Sequence, residues 1–533
     1  MSELVNVPWW ASGAIYQIYP RSFHDSDGDG IGDLRGIESH LDYISSLGIA
    51  AIWLSPIFPS PMADFGYDIS NYVDVEPMFG TLADFDALVT AVHRRGMKII
   101  LDLVPNHTSD VHPWFVKSRR SRDNPKRDWY IWRDPAPNGG PPTNWMSEFG
   151  GSAWQFDQAT GQYFYHAFLD RQPDLNWRNP QVRDAIYETM RFWLRRGVDG
   201  FRVDVLWHLV KDDQFRDNPP NPDYAPGRPP HESLLPRYTT DQPETLAIVS
   251  EMRRVIDEFD QRLLIGEIYL PLERLVAYYG VKLDGAQLPF NFSLLSAPWN
   301  AQVIADMIQR YERLLPDGAW PNWVLGNHDR PRIASRVGLA QTRVAAMLLL
   351  TLRGTPTLYY GDEIGMEQVP IAPHQVRDPF EKNVPGIGVG RDGCRTPMQW
   401  DVTPGAGFTS GEPWLPIPAS AIDVNVARLG DEPSSILNLY HALLTLRNGS
   451  PALSSGASSD VAAVGDVLHY RRKDATQDFL IVLNLGGTPA SLDMLAIPPG
   501  CEINLSSALD RVGERTGPTL TLRANEGLIV RLA

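Results

Sequence analysis

Along the chain, short runs of apolar and β-branched residues alternate with longer stretches in which apolar positions recur at helical spacing. The first pattern predicts strands buried on both faces and the second predicts helices, so their alternation predicts parallel βα units. Eight strand runs stand out: AIYQIYP from Ala14, AIWLSP from Ala51, KIILDLVPNH from Lys98, GFRVDV from Gly200, LLIGEI from Leu263, GAQLPFNF from Gly285, NWVLGNHD from Asn322 and TPTLYYG from Thr355. Helical period covers residues 37–47, 82–95, 181–196, 245–259, 301–315 and 332–352. Eight strands with intervening helices predict an α/β fold, a closed (β/α)8 TIM barrel.

The spacing is uneven. After the third run, residues 107–174 are rich in Trp, Pro, Gly and Asn without sustained helical period, too long for an ordinary loop, which predicts a small inserted subdomain. A second irregular stretch, 212–237, follows the fourth run. Such insertions at the C-terminal ends of barrel strands shape the mouth of the site. Beyond a last helix near 434–447, the runs VLHYRR, DFLIVLNL, TLTLRA and GLIVRLA alternate as antiparallel strands do. The predicted organisation is a barrel over 1–106 and 175–450, the inserted subdomain over 107–174 and a C-terminal β-sandwich over 451–533.

Composition narrows the partners. The 533 residues carry Lys+Arg 48 against Asp+Glu 64, a formal charge of −16, which gives no general attraction for nucleic acid or an anionic membrane. Sixteen Trp and 19 Tyr supply flat faces suited to sugar rings as well as to a large core. Cys394 and Cys501 lie far apart and form no CxxC spacing, so neither a disulfide framework nor a thiolate metal site is signalled. MSELVNVPWW lacks the basic and apolar regions of a leader, and the run 345–350 is too short to span a bilayer, so a cytoplasmic protein is expected.

In a barrel, polar residues at the C-terminal ends of strands face one shared site. Three carboxylates sit there: Asp204 on the fourth run, Glu267 on the fifth and Asp329 after the seventh. Arg202 and Asp204 are two apart and share one strand face, so the guanidinium is expected to favour an ionised Asp204. Glu267 follows an apolar run beside other carboxylates, which favours its protonated form. A carboxylate pair of opposed protonation is the machinery of glycoside hydrolysis. Taken singly, each has the alternative reading of an ordinary ion-pairing residue.

The strings DLVPNH, QPDLNW, GFRVDV, GEIY and GNHD, in this order, resemble the motifs of family 13 glycoside hydrolases, the α-amylase family. QIYPRSF, FGYDISNY, GTPTLYYGDEIGM and RTPMQWD resemble its oligo-1,6-glucosidase and α-glucosidase branch. The resemblance implies Asp204 as nucleophile forming a β-glucosyl-enzyme, Glu267 as acid/base and Asp329 as the third, transition-state carboxylate. It further implies that His107 and His328 bond the glucose, that Tyr67 stacks under it, and that Asp64 and Arg395 grip the terminal hydroxyls. That grip closes the site into a pocket for the ends of small α-glucosides such as maltose, isomaltose or sucrose.

In HDSDGDGIGD, Asp25, Asp27, Asp29 and Asp33 alternate with glycines and, with the Ile31 carbonyl, offer hard oxygen ligands for a structural Ca²⁺. The loop is not an EF-hand, since Gly36 stands where the closing Glu belongs; a solvated acidic turn is the alternative. Asn106, a calcium ligand in true α-amylases, also lies in a matched motif. Val205 after the nucleophile resembles isomaltases, whereas GNHDRPRIASR and GAQLPFNF resemble maltase-type enzymes, so α-1,4 and α-1,6 preference both stay open. Transglucosylation or sucrose isomerisation would run through the same intermediate. A non-catalytic relative, like the transporter-associated heavy chains, would lack the carboxylate set.

Overall fold

A computed structural model describes residues 7–493 and 500–532. Residues 1–6, 494–499 and 533, which include the two ends of the chain in the predicted organisation and most of the N-terminal string read for a leader, lie outside the described residues.

All eight predicted runs contain a strand, and together they form one parallel sheet: Ile15–Ile18, Ala51–Leu54, Lys98–Leu103, Gly200–Val203, Leu263–Gly266, Leu288–Pro289, Asn322–Val324 and Thr355–Tyr359. The ladder runs in chain order from first to sixth strand, with the seventh and eighth joining beside the first. The remaining seam, between the sixth and seventh strands, is closed by a side chain. Asn322 donates from Nδ2 to the Pro289 carbonyl (2.5 Å) and accepts at Oδ1 from the Asn291 N–H (2.9 Å). Proline has no N–H for a ladder, so a carboxamide bridges the gap instead.

The strands read as unbroken apolar runs because both faces are buried. Inward-facing Ile15, Trp53, Ile100, Ile265, Leu288 and Val324 fill the barrel, with Trp9, Trp10 and Trp320 packed against them. Alternate residues such as Tyr16, Ile52, Leu101 and Phe201 pack outward in the main core with the helices. Two predicted helices are broken. The first divides at His40 into Leu34–Ser39 and Leu41–Ser46; the last divides at Gly338, whose φ of 80° no regular helix accommodates, into Ile333–Val337 and Leu339–Thr351.

Between the third and fourth strands, Trp132–Arg133, Trp154–Asp157 and Gln162–Tyr165 form a small antiparallel sheet. Its root is pinned where His107 and Asp174 pair as an isolated bridge, so the two ends of the excursion meet at the barrel rim. Trp145, Trp154 and Tyr165 form its core, against which Phe215 of the stretch after the fourth strand also packs. The C-terminal region folds as a five-stranded antiparallel sheet, Ala457–Val464, Val467–Lys473, Asp478–Asn484, Gly527–Arg531 and Glu502–Ser506 in spatial order, and a two-stranded one, Ala490–Asp493 with Thr519–Leu522. Leu480, Val482, Leu492, Leu520, Leu522 and Val530 make the core between them. Among the described residues no helix is long and apolar enough to cross a membrane.

Candidate active site

Arg202 and Asp204 share the inner face of the fourth strand while Phe201 and Val203 pack outward. Arg202 is wholly buried and meets three carboxylates: Asp102 at 2.8 Å, Asp204 at 2.7 Å and Glu267 at 2.7 Å. Glu267 follows the fifth strand at Gly266, where a Cβ would stand 2.6 Å from the Leu206 side chain; glycine lets the two strand ends approach. Asp204 and Glu267 take neighbouring nitrogens of that one guanidinium, Nη1 and Nη2, and Glu267 Oε2 also accepts from the Val205 N–H (2.8 Å).

The expected Arg202–Asp204 contact is present, but the guanidinium is divided among three anions. Burial, then the adjacent Glu267 charge, push Asp204 well above the usual carboxylate range, and Arg202, divided among three anions, opposes this only in part. Burial likewise raises Glu267, against Arg202 and with Asp329 adding to the rise. The two carboxyls therefore titrate as a unit that retains a proton. Behind them burial lifts Asp102 to about 7.

Asp329 faces the opening, its side chain 23% exposed, and is held by Arg395 (3.0 Å), Arg391 (3.4 Å) and His328 Nε2 (3.2 Å). Burial raises its pKa, but the His328 ring, Arg395 and Arg391 outweigh burial and keep it below the ordinary value. Burial drives His328 itself well below its normal pKa, so the ring is neutral and the guanidiniums carry the effect. Gln17 Nε2 lies 2.8 Å from Nδ1 of that ring, and the Tyr67 hydroxyl lies 2.6 Å from Nε2, with the Tyr67 and His328 rings parallel within 4°. Tyr67 also donates to Asp102 (3.2 Å). His107 is buried, shifted by that burial to about 4, and contacts the Tyr67 carbonyl and Gln172 at 3.1 Å each.

Asp64 is brought to this cluster, Gln172 Nε2 donating to its Oδ2 (3.3 Å). Arg391 Nη2 donates to Asp64 Oδ1 at 2.7 Å, whereas Arg395 is fully buried and spent on Asp329 and on the His328 carbonyl (2.8 Å from Nε). Beside Arg395, which the resemblance puts with Asp64 at the terminal hydroxyls, the structure thus brings a second arginine, Arg391, one turn earlier in RDGCR, onto Asp64. Arg391, Asp102, Gln172 and Asp378 are the site residues not singled out from sequence. All but Asp378 lie inside or beside strings already noted, and which of two arginines faces the pocket is a matter of local backbone direction.

In the acidic loop, Asp25, Asp27 and Asp29 place carboxylate oxygens within 4.8 Å of one another, a donor set that fits a hard divalent cation. Asp33 does not join that group. Its carboxylate caps Leu34–Ser39 by accepting from Gly36 N (2.8 Å), and it also accepts from Ser26 N (2.7 Å) and Ser26 Oγ (2.9 Å). Ile31 adjoins the group, its N–H donating to Asp29 Oδ1 (2.8 Å). At Asn106 the residues do not fit a metal: the buried Lys211 ammonium bonds Asn106 Oδ1 (2.8 Å) and Asp174, so a cation from the chain already satisfies these oxygens.

Buried carboxylates bridged by one guanidinium at the ends of neighbouring barrel strands, with a third across the opening, define a glycoside-hydrolase site of the two-carboxylate kind. The chain belongs to the α-amylase family: the model for "Alpha amylase, catalytic domain" matches residues 17–456. Within it the chain is similar to a probable alpha-glucosidase of Rhizobium meliloti, 43% identical over 502 residues covering 91% of each chain. It is also similar to an oligo-1,6-glucosidase of Heyndrickxia coagulans, 38% identical over 527 residues, 91% of this chain and 93% of the other. Among solved structures, the alpha-glucosyl transfer enzyme XgtA superposes with a TM-score of 0.93 at 41% identity, covering 99% of this chain and 100% of that one.

Proposed function

We propose that the protein is an exo-acting, retaining α-glucosidase that releases terminal non-reducing glucose from short α-glucosides. The observation that carries this reading is the Asp204–Glu267 pair held on one Arg202 guanidinium at 2.7 Å each, with an Asp64–Arg391 ion pair in the same cluster. Inverting enzymes hold their carboxyls about 6.5–9.5 Å apart to admit a water. Two carboxyls gripped by neighbouring nitrogens of one guanidinium are held close together, which supports direct attack on the sugar.

In this reading Asp204 attacks the anomeric carbon and Glu267 gives the shared proton to the leaving oxygen, then withdraws one from the incoming water. Asp329, kept anionic by the guanidiniums, bonds ring hydroxyls, with neutral His107 and His328 beside it and Tyr67 beneath. Asp64 and Arg391 take the terminal hydroxyls, so chains end there. Asp25, Asp27 and Asp29, with the Ile31 carbonyl, would hold a structural Ca²⁺, which when bound offsets the repulsion of the loop carboxylates. Buried Cys394, its thiol pushed up to about 12 by burial, is inert and suits a reducing cytoplasm.

A product time course on maltose, isomaltose, sucrose, trehalose and maltotriose, with starch as control, tests the reading. Glucose released from the small sugars with starch spared supports it. A second reading, glucosyl transfer through the same intermediate, is favoured by the likeness to XgtA. New oligosaccharides appearing ahead of glucose would select it.

A further inference from the structure

Asp378 lies outside every motif singled out in the sequence, yet it is completely buried beside the closed end of the pocket. Its whole carboxylate is spent on one residue and on its own helix. Oδ2 accepts from the Arg391 N–H (2.7 Å) and from Arg391 Nε (3.1 Å); Oδ1 accepts from Nε (3.1 Å), from Nη2 (2.7 Å) and from the Phe380 N–H (3.2 Å). Asp378 thus fixes both the backbone and the side chain of Arg391. The clasp is reciprocal: Asp392 Oδ2 accepts from the Arg377 N–H (2.6 Å) and the Asp378 N–H (2.9 Å). The two aspartates tie residues 377–378 to 391–392 across the glycine-rich segment between them.

The same anchor sets the cover of the pocket. Asp378 caps the short helix Pro379–Asn383, which carries Phe380. Phe380 stacks on Phe149 from the inserted segment at 5.0 Å and 24°, and Phe149 lies 5.0 Å from the Arg391 guanidinium. A flexible arginine that must meet sugar hydroxyls binds best when its rotamer is settled beforehand. Asp64 alone touches one Nη; the bonds along Nε and the main chain, which settle the rotamer, come from Asp378.

We propose that Asp378 is a positioning residue: it pre-organises Arg391 for the terminal glucose and thereby sets ground-state affinity for the substrate. This rests on the reading of Asp64 and Arg391 as the terminal-hydroxyl grip. Arg391 also touches Asp329 (3.4 Å), but Arg395 holds that carboxylate more closely (3.0 Å), so loss of the Arg391 grip falls mainly on substrate binding and registers in KM more than in kcat.

The test is a double-mutant cycle with p-nitrophenyl α-D-glucopyranoside as substrate and glucose as competitive inhibitor. Asp378→Asn keeps an acceptor for the helix cap and removes the charge. It is expected to raise KM and the glucose inhibition constant together by about tenfold, with kcat changed less than about threefold. In an Arg391→Ala background the same change is expected to add nothing. Asp378→Glu, which restores the charge, should recover part of the affinity and serves if Asp378→Asn folds poorly. An unchanged KM in Asp378→Asn, or a full additional loss in the Arg391→Ala background, overturns the positioning role. Wild-type KM and inhibition in Arg391→Ala alone would instead bring down the grip on which it stands.

Discussion

The Val205 N–H donates to Glu267 Oε2 across 2.8 Å from a left-handed backbone, φ 38° and ψ 46°. A β-branched residue there stores about 1–3 kcal/mol and persists only where its surroundings impose it. They do: Asp204 N bonds the Leu103 carbonyl on one side and Leu206 N bonds the Glu267 carbonyl on the other. The strain aims a fixed dipole at the proposed acid/base. Val205→Gly keeps the N–H and suits the conformation, so hydrolysis of an activated aryl glucoside should stay within about threefold of wild type. The maltose to isomaltose rate ratio should shift, because the side chain is gone; a constant ratio would show that Val205 does not read the linkage.

Asp204→Asn removes the proposed nucleophile but keeps an acceptor for Arg202. Turnover should fall by about 10⁴-fold or more with the melting temperature nearly unchanged. Near-normal kcat in a folded protein would reassign the role.

Glu267→Gln should separate substrates by leaving group. p-Nitrophenolate departs with little protonation, whereas a sugar alkoxide needs the proton the Asp204–Glu267 pair retains. The loss in kcat/KM on maltose should therefore exceed that on the aryl glucoside by about 10²-fold or more. Equal losses on both would place the acid elsewhere.

The eight strands were legible because a barrel strand buried on both faces writes itself as a continuous apolar run, and Asp204, Glu267 and Asp329 followed from where those runs end. The break at Gly338 was not, since apolar period continues through it. Arg391 was not legible beside Arg395, because both sit in RDGCR and the backbone turn that directs them leaves no periodic trace. Asp378 stands in a loop whose chemistry exists only after residues 13 positions apart are clasped. The split of Arg202 among three carboxylates, two of them from other strands, is likewise a tertiary fact; spacing within GFRVDV shows one pair.

At the opposite end of the fourth strand, buried Asp199 gathers His93 (2.7 Å), Lys98 (3.3 Å) and Arg262 (3.0 Å) and accepts from Ile99 N (3.0 Å). Burial raises its pKa, but the His93 bond, the Ile99 N–H and the cations prevail and hold it low. Its contribution is therefore complete above the unfolded value of about 3.9 and fades as pH falls through the lower folded one. Asp199→Asn should cost about 1–3 kcal/mol at pH 7. The melting-temperature gap to wild type should narrow as pH falls below about 4. A gap that stays constant to pH 3 would mean that packing, not charge, is lost.

The acidic loop allows the metal to be separated from the fold. Asp25 is committed to shape: Oδ1 accepts from Asp27 N (3.1 Å) and Gly28 N (2.7 Å), and Oδ2 from Gly30 N (2.8 Å) and Thr409 Oγ1 (2.5 Å). Replacing it would unravel the loop with or without calcium. Asp27 and Asp29 are exposed, and their like charges raise the cost of the loop unless a cation offsets it. Chelation should lower the melting temperature and added Ca²⁺ restore it, a stabilisation of about 2.7 kcal/mol at a hundredfold excess over Kd. Asp27→Asn should abolish most of that response while leaving the chelated protein at least as stable as chelated wild type, since the repulsion falls with the charge. A melting temperature indifferent to both chelator and calcium would assign the loop to Asp25 and Asp33 alone, folded by hydrogen bonds to their own backbone.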